Sequence, residues 1–176
     1  MSDFMRAFLG LHVGDEFEPG QTIYALCGAV PLPGWPEELP PEVLNPLINA
    51  ADTSATAVLM VTDDYVMHVV DEAMTRLMKS FVFEYAPIPR AISDLWSGLI
   101  DDEDNIMRWP RSEIVEAGTY RYDYEASSFF GTKTIPLFYH VIRDSTGYYY
   151  LFLQQNLRGA EQKAEQMGTQ LNLIAA

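Results

Sequence analysis

Between Thr119 and Glu125 the chain reads TYRYDYE. This strict alternation places Tyr120, Tyr122 and Tyr124 on one face and Arg121, Asp123 and Glu125 on the other. A period of two fits no helix, so the last third of the chain has to be built on strands. Thr134–Arg143 and Tyr148–Gln155 are also β-rich, and Asp144-Ser145-Thr146-Gly147 separates them. The spacing predicts an antiparallel hairpin with a four-residue loop. Both segments carry bulky apolar residues on both faces, as central strands do. Gly159–Ile174 then predicts a helix with a narrow stripe at Ala160, Ala164, Met167, Leu171 and Ile174, weakened by Gly168.

Upstream, the pattern reads mainly as helix and proline-rich connection. Asp3–Leu11 predicts a short helix, and Thr22–Val30 a buried strand carrying Cys27. Six prolines between residues 31 and 46 surround Trp35; their fixed φ and missing N–H groups predict an extended connection over the surface. Glu42–Ala51 closes it as a short helix, and Thr56–Val61 reads as a short strand. From Asp63 onward, Val66, Val69, Val70, Ala73, Met74, Leu77 and Phe81 recur every three or four residues. That spacing predicts an amphipathic helix over 64–83, capped by Thr62 or Asp63. A hairpin turning at Asp63-Asp64 is the rival reading, kept alive by the β-branched residues of 65–70. Arg90–Ile100 predicts another helix. The expected fold is therefore α+β in a single domain spanning 1–176. It has an acidic, mainly helical part over 1–118 and a neutral, β-rich part over 119–157. The β-rich part holds a three-stranded antiparallel meander, covered by the 64–83 helix, and a C-terminal helix over 158–174 follows.

Charge narrows the function classes. The 176 residues hold 25 acids and 11 bases, for a formal charge of −14. Residues 1–60 carry −7, residues 61–120 carry −7, and residues 121–176 carry five of each sign. So acidic a chain is poorly suited to hold nucleic acid or an anionic membrane directly. No apolar run approaches the 18 residues of a membrane span, and the first residues lack a secretory pattern, so a cytoplasmic protein is expected.

Chemical motifs are sparse. Cys27 is the single cysteine, which excludes an intramolecular disulfide and a multi-cysteine zinc site. No phosphate-cradling glycine loop occurs, and Gly131-Thr132-Lys133-Thr134 has the wrong spacing for one. The best metal candidate is Asp64, His68, Asp71 and Glu72 at helical spacing, which reads more simply as a solvated helix face. Starting at Asp102, a calcium loop would need an oxygen ligand at Ile106 and glycine at Met107, so the run 101–105 fails that pattern. Cys27 with His140 or His12 could in principle form a nucleophile pair, but its apolar, acidic setting opposes a thiolate, and Ser127 and Ser128 lack a G-x-S-x-G context. No catalytic, cofactor or metal residue is therefore assigned.

What remains is an acidic surface. The expected function is an inhibitor that docks negative charge on a basic protein partner, such as a nucleic-acid-binding enzyme, in the manner of immunity or phage anti-defence proteins. The residues singled out for partner binding are Glu37, Glu38, Asp63, Asp64, Asp101, Asp102, Glu103 and Asp104, with Trp35 and Trp109 as anchors. One alternative is a small enzyme or ligand-binding domain with a pocket near His140, Glu125 and Tyr124. Another is a structural subunit of a phage or secretion assembly.

Overall fold

The computed structural model describes residues 11–53, 57–70 and 106–175, which form nine strands and two α-helices. A two-stranded hairpin, β1 (Glu16–Glu18) and β2 (Gln21–Thr22), precedes the main sheet. The main sheet has seven strands: β3 (Ala25–Pro31), β4 (Ala57–Val61), β5 (Tyr65–Val70), β6 (Ile106–Pro110), β7 (Ile114–Ser128), β8 (Gly131–Asp144) and β9 (Tyr149–Gln154). Their spatial order is β6-β5-β4-β3-β9-β8-β7, with every neighbouring pair antiparallel. Two meanders, β3–β6 and β7–β9, are thus joined where β3 pairs with β9. The helices are α1 (Pro41–Thr53) and α2 (Ala160–Ile174).

This corrects the expected architecture. The first two-thirds is not mainly helical, and the three-stranded meander is one flank of a seven-stranded sheet. The decisive segment is 65–70. Val66, Met67, His68, Val69 and Val70 are all fully buried, so this strand is covered on both faces and reads as a continuous apolar run. Such a run contains every i, i+3 and i+4 spacing by default, which is why it imitates a helix stripe. The chain turns at Asp63-Asp64, where the Thr62 N–H donates to the Tyr65 carbonyl at 2.8 Å. The helix expected over 64–83 is therefore absent across 64–70, and its remainder lies outside the described residues. So do the helices expected over 90–100 and, but for Leu11, over 3–11.

Directly paired residues share a face of a sheet, so the registers sort the interior into two sides. On one side, Cys27, Leu59 and His68 form a row across β3, β4 and β5. Pro31, Phe152, His140 and Thr119 form another across β3, β9, β8 and β7. Helix α2 covers this side, burying Ala164, Met167 and Leu171. It lies close to β7 because position 168 is glycine: a Cβ there would stand 3.2 Å from the Thr119 side chain.

On the other side the cover is in two pieces. The β1–β2 hairpin, with Phe17 and Ile23, packs against Leu26, Val58, Met60, Met67 and Val69. Trp35 and α1 pack over the β8–β9 half, where Trp35 meets Tyr139 and Tyr149 edge-on and the Tyr124 hydroxyl donates to Asn45 Oδ1 at 2.7 Å. At the β8–β9 turn, Asp144 Oδ1 accepts from the Thr146 and Tyr148 N–H groups, and Gly147 supplies the positive φ.

Candidate functional site

The carboxylates that dominate the charge are concentrated on the two-piece cover. Residues 11–70 hold nine acids and neither Lys nor Arg, whereas residues 106–175 hold seven acids and seven bases. Asp15, Glu16 and Glu18 sit on or beside the β1–β2 hairpin; Glu37 and Glu38 lie in the short 3₁₀ turn Pro36–Glu38; Glu42 and Asp52 lie on α1. The hairpin acids form a short cluster, Asp15-Glu16-Phe17-Glu18, while Glu42 and Asp52 stand alone in sequence. The long gap in Lys and Arg is the signal that finds them.

Of the residues expected to bind a partner, Glu37 and Glu38 are exposed, and the Tyr139 hydroxyl donates to Glu37 at 3.0 Å. Asp63 is committed to the β4–β5 turn. The Thr22 N–H and the Tyr24 hydroxyl donate to it at 2.5 and 2.9 Å, and these bonds hold its carboxyl below the usual carboxylate range. Asp64 accepts from Gln21 Nε2 at 2.7 Å. Trp109 is only 6% exposed and packs on Tyr150 and Phe152; Trp35 is half-buried. Both indoles therefore belong to the packing of the fold. Asp101, Asp102, Glu103 and Asp104 lie outside the described residues.

The sheet does bring Cys27 and His140 together. Cys27 Sγ lies 3.6 Å from His140 Nε2 beneath the first turn of α2. The surrounding bonds assign the imidazole tautomer. Gln154 Nε2 donates to the Ala160 carbonyl at 2.7 Å, so Gln154 Oε1 is turned to accept from His140 Nε2–H at 2.9 Å. His140 Nδ1 then accepts the Thr119 hydroxyl at 2.7 Å. A base for Cys27 would need a free lone pair on Nε2, and that atom carries the proton. Burial pushes the Cys27 thiol up to about 12 and the His140 imidazole down to about 4, so both are neutral at pH 7. The chain Thr119–His140–Gln154–Ala160 ties β7, β8, β9 and α2 together. It resembles a nucleophile dyad in composition and works as a structural cross-tie.

His68 occupies the same side of the sheet, donating from Nε2 to the Ala29 carbonyl at 2.8 Å and packing on Phe152 with ring centroids 4.7 Å apart. Burial lowers its pKa to about 4. It lies in a strand interior, so the helical face expected to align it with Asp64 does not form. Among the described residues no three His, Cys, Asp or Glu side chains are grouped to hold a metal.

Three concavities line this part of the molecule. A cleft of about 110 Å³ touches Cys27, Gln154, Arg158 and Lys163, too small for most substrates. A groove of about 490 Å³ runs between β7 and α2, from Thr119 and Arg121 across to Glu161 and Glu165. A third, of about 430 Å³, lies between Tyr24, Arg111 and Leu173. None of the three is lined by His140, Glu125 or Tyr124. Glu125 and Tyr124 pair with Thr134 and Ile135, five or six residues along the ladder from the Thr119–His140 pair, roughly 20 Å away for Glu125.

The β7–β8 hairpin ends in a feature that no sequence pattern marks. Ser128 pairs with Gly131, so Phe129 and Phe130 form a two-residue turn, and they are 98% and 96% exposed. Their rings touch only each other, at 5.5 Å and 84°, among the contacts of the described residues.

No family model matches the chain, and neither a characterised protein nor a solved structure matches it.

Proposed function

We propose that this chain is an acidic protein-binding domain of a reducing cytoplasm that docks the cover built by residues 11–70 on a basic protein partner. The observation that carries the reading is the segregation of charge: nine carboxylates lie on the elements covering one side of the sheet and on the turn pinned to them, and residues 11–70 contribute no Lys or Arg, while residues 106–175 balance and lend this side Arg108, paired with Glu18, and Arg111, which donates to the Asp63 carbonyl. A field of one sign over one side steers association with a surface of opposite sign and rejects nucleic acid. A basic groove that holds nucleic acid is the surface such a field fits best, which favours an inhibitor of the immunity or anti-defence type. The absence of a reactive tautomer at Cys27–His140 supports binding over catalysis at that cluster.

The test is capture of a basic protein from lysate on the immobilised chain at ~50 mM salt, where screening is weak. The captured protein should elute as salt rises, and a Glu16→Gln, Glu37→Gln, Glu38→Gln variant should capture less of it. The amide introduced at position 37 keeps an oxygen for the Tyr139 hydroxyl, so the fold is spared. Capture that ignores salt, or that the triple variant retains in full, would sink the reading.

A further inference from the structure

The two ends of the seven-stranded sheet are finished differently. At one end β6 is five residues long and closes on Pro110, two of the usual protections of a sheet edge. At the other end β7 runs for 15 residues without a proline, against an average strand of about 5–6. Among the described residues nothing pairs with its outer edge. A long edge of unpaired N–H and C=O groups is a template for another strand.

The side chains of β7 say which strand. Around Tyr122 the sequence is a charge palindrome: Arg121 and Asp123 flank it at one residue, Tyr120 and Tyr124 at two. Arg121 and Asp123 are both about half exposed and at present pair with each other at 2.9 Å. If a second β7 lay antiparallel to the first about a two-fold axis normal to the sheet, directly opposed residues would share a face and hence a parity. The axis would then pass through one residue. Through Arg121 it opposes arginine to arginine, and through Asp123 it sets each Arg121 against a Glu125 but aspartate directly against aspartate. Through Tyr124 it opposes Asp123 to Glu125, and through Tyr120 it leaves Arg121 against Thr119. Only through Tyr122 does each Arg121 meet an Asp123, twice by symmetry, with Tyr120 opposite Tyr124. Residues 106–175 balance seven acids against seven bases, so among the described residues charge opposes the approach least here.

We propose that two copies of this chain pair antiparallel along β7 about a two-fold axis through Tyr122, joining their sheets through reciprocal Arg121–Asp123 contacts. The occupant of the free edge is a second copy, and the contact is isologous and closed, so it yields a dimer and not a filament.

Light scattering on the eluting 176-residue chain tests this. At about 100 µM the mass should approach twice 19.9 kDa and fall on dilution. Arg121→Asp places aspartate against aspartate at two symmetric positions and should weaken the dimer about tenfold or more. The exchanged variant Arg121→Asp with Asp123→Arg rebuilds the palindrome with reversed sign and should recover the original affinity, whereas an equimolar mixture of Arg121→Asp and Asp123→Arg single variants, in which neither chain regains its internal pair, should form a mixed dimer more tightly than Arg121→Asp pairs with itself. Phe129→Ser with Phe130→Ser should leave the dimer intact. A wild-type chain that stays monomeric at that concentration overturns the proposal. So does Arg121→Asp dimerising as tightly as the wild type, an exchanged variant that stays monomeric, or loss of the dimer on removing the phenylalanines, which would place the contact at the hairpin tip.

Discussion

The two ends of the β7–β8 hairpin are made of the same kind of strand and do opposite things. At its base Ala117, Val141 and Ile142 are buried, and Thr119–His140 closes a hydrogen-bonded chain into β9 and α2. At its tip Phe129 and Phe130 stand in solvent, and the nearest polar contacts are exposed, such as the Thr134 hydroxyl on Glu125 at 2.6 Å. Strict alternation is confined to residues 119–125, midway along the hairpin, so it does not mark where fold gives way to surface. What changes is the cover: α2 packs on the base, and among the described residues nothing covers the two phenylalanines of the tip. Residues at the base are therefore explained by packing, and residues at the tip are available for contacts with other molecules.

The largest effect should come from the seam beside the base. Phe152 is fully buried, pairs with both Pro31 and His140, and packs on His68 and Trp109. It sits where the two meanders join, so a cavity there loosens both. Phe152→Ala should destabilise the chain by about 3–5 kcal/mol in denaturant titration. Phe129→Ala with Phe130→Ala, which removes twice as many rings at the tip, should stay within about 0.5 kcal/mol. Comparable losses at both places would mean that the tip is packed after all.

Acid should also distinguish the base. His68 and His140 titrate near 6.5 in an unfolded chain and near 4 when buried here. Below pH 6.5 the unfolded state therefore takes up protons that the folded state refuses. Stability is unaffected by these groups above pH 6.5, falls as pH drops through the window from 6.5 to 4, and levels off below it. Between pH 7 and pH 5 each histidine should remove about 2 kcal/mol. Ring resonances of His68 and His140 should remain those of neutral imidazole at pH 5.5. A resonance that moves at pH 6.5 would show that the ring is solvated and the cross-tie open.

Much of the local structure is legible because local signals do not depend on distant partners. Glu42–Ala51 anticipates α1, the turn residues 144–147 anticipate the β8–β9 hairpin, and the stripe from Ala160 to Ile174 anticipates α2 down to its buried Met167 and Leu171. The sheet itself is not legible. Its closure depends on β3 pairing with β9, Ala29 against Gln154, and no short-range pattern records a partner that far along the chain. Val66–Val70 misleads for a related reason: a strand buried on both faces loses the alternation that identifies strands, and it meets Phe152 of β9 on one side and the β1–β2 hairpin on the other. Trp109 looks like an anchor because it neighbours an acidic run, yet its register partner Val66 places it inside. The charge gradient along the chain can be counted from the sequence, but which side of a sheet it occupies is again a property of the pairing.

The smallest effect isolates the environment from the bond. Thr119 and Thr134 are the same residue type on the same hairpin, and each donates its hydroxyl to one side-chain acceptor, at 2.7 Å to His140 Nδ1 and at 2.6 Å to Glu125 Oε1. Replacing either by valine keeps the β-branched shape that a strand prefers and deletes the donor. At Thr134 the carboxylate simply turns to water, so Thr134→Val should change stability by less than about 0.5 kcal/mol. At Thr119 the acceptor left behind is fully buried and cannot reach solvent, so Thr119→Val should cost about 1–3 kcal/mol. Thr119→Ser, which restores a hydroxyl without the methyl, should recover part of that loss, and the difference between the two variants separates the donor from the packing against Gly168. Equal losses at Thr119 and Thr134 in chemical denaturation would erase the distinction between base and tip, because the same bond would then be worth the same in both places.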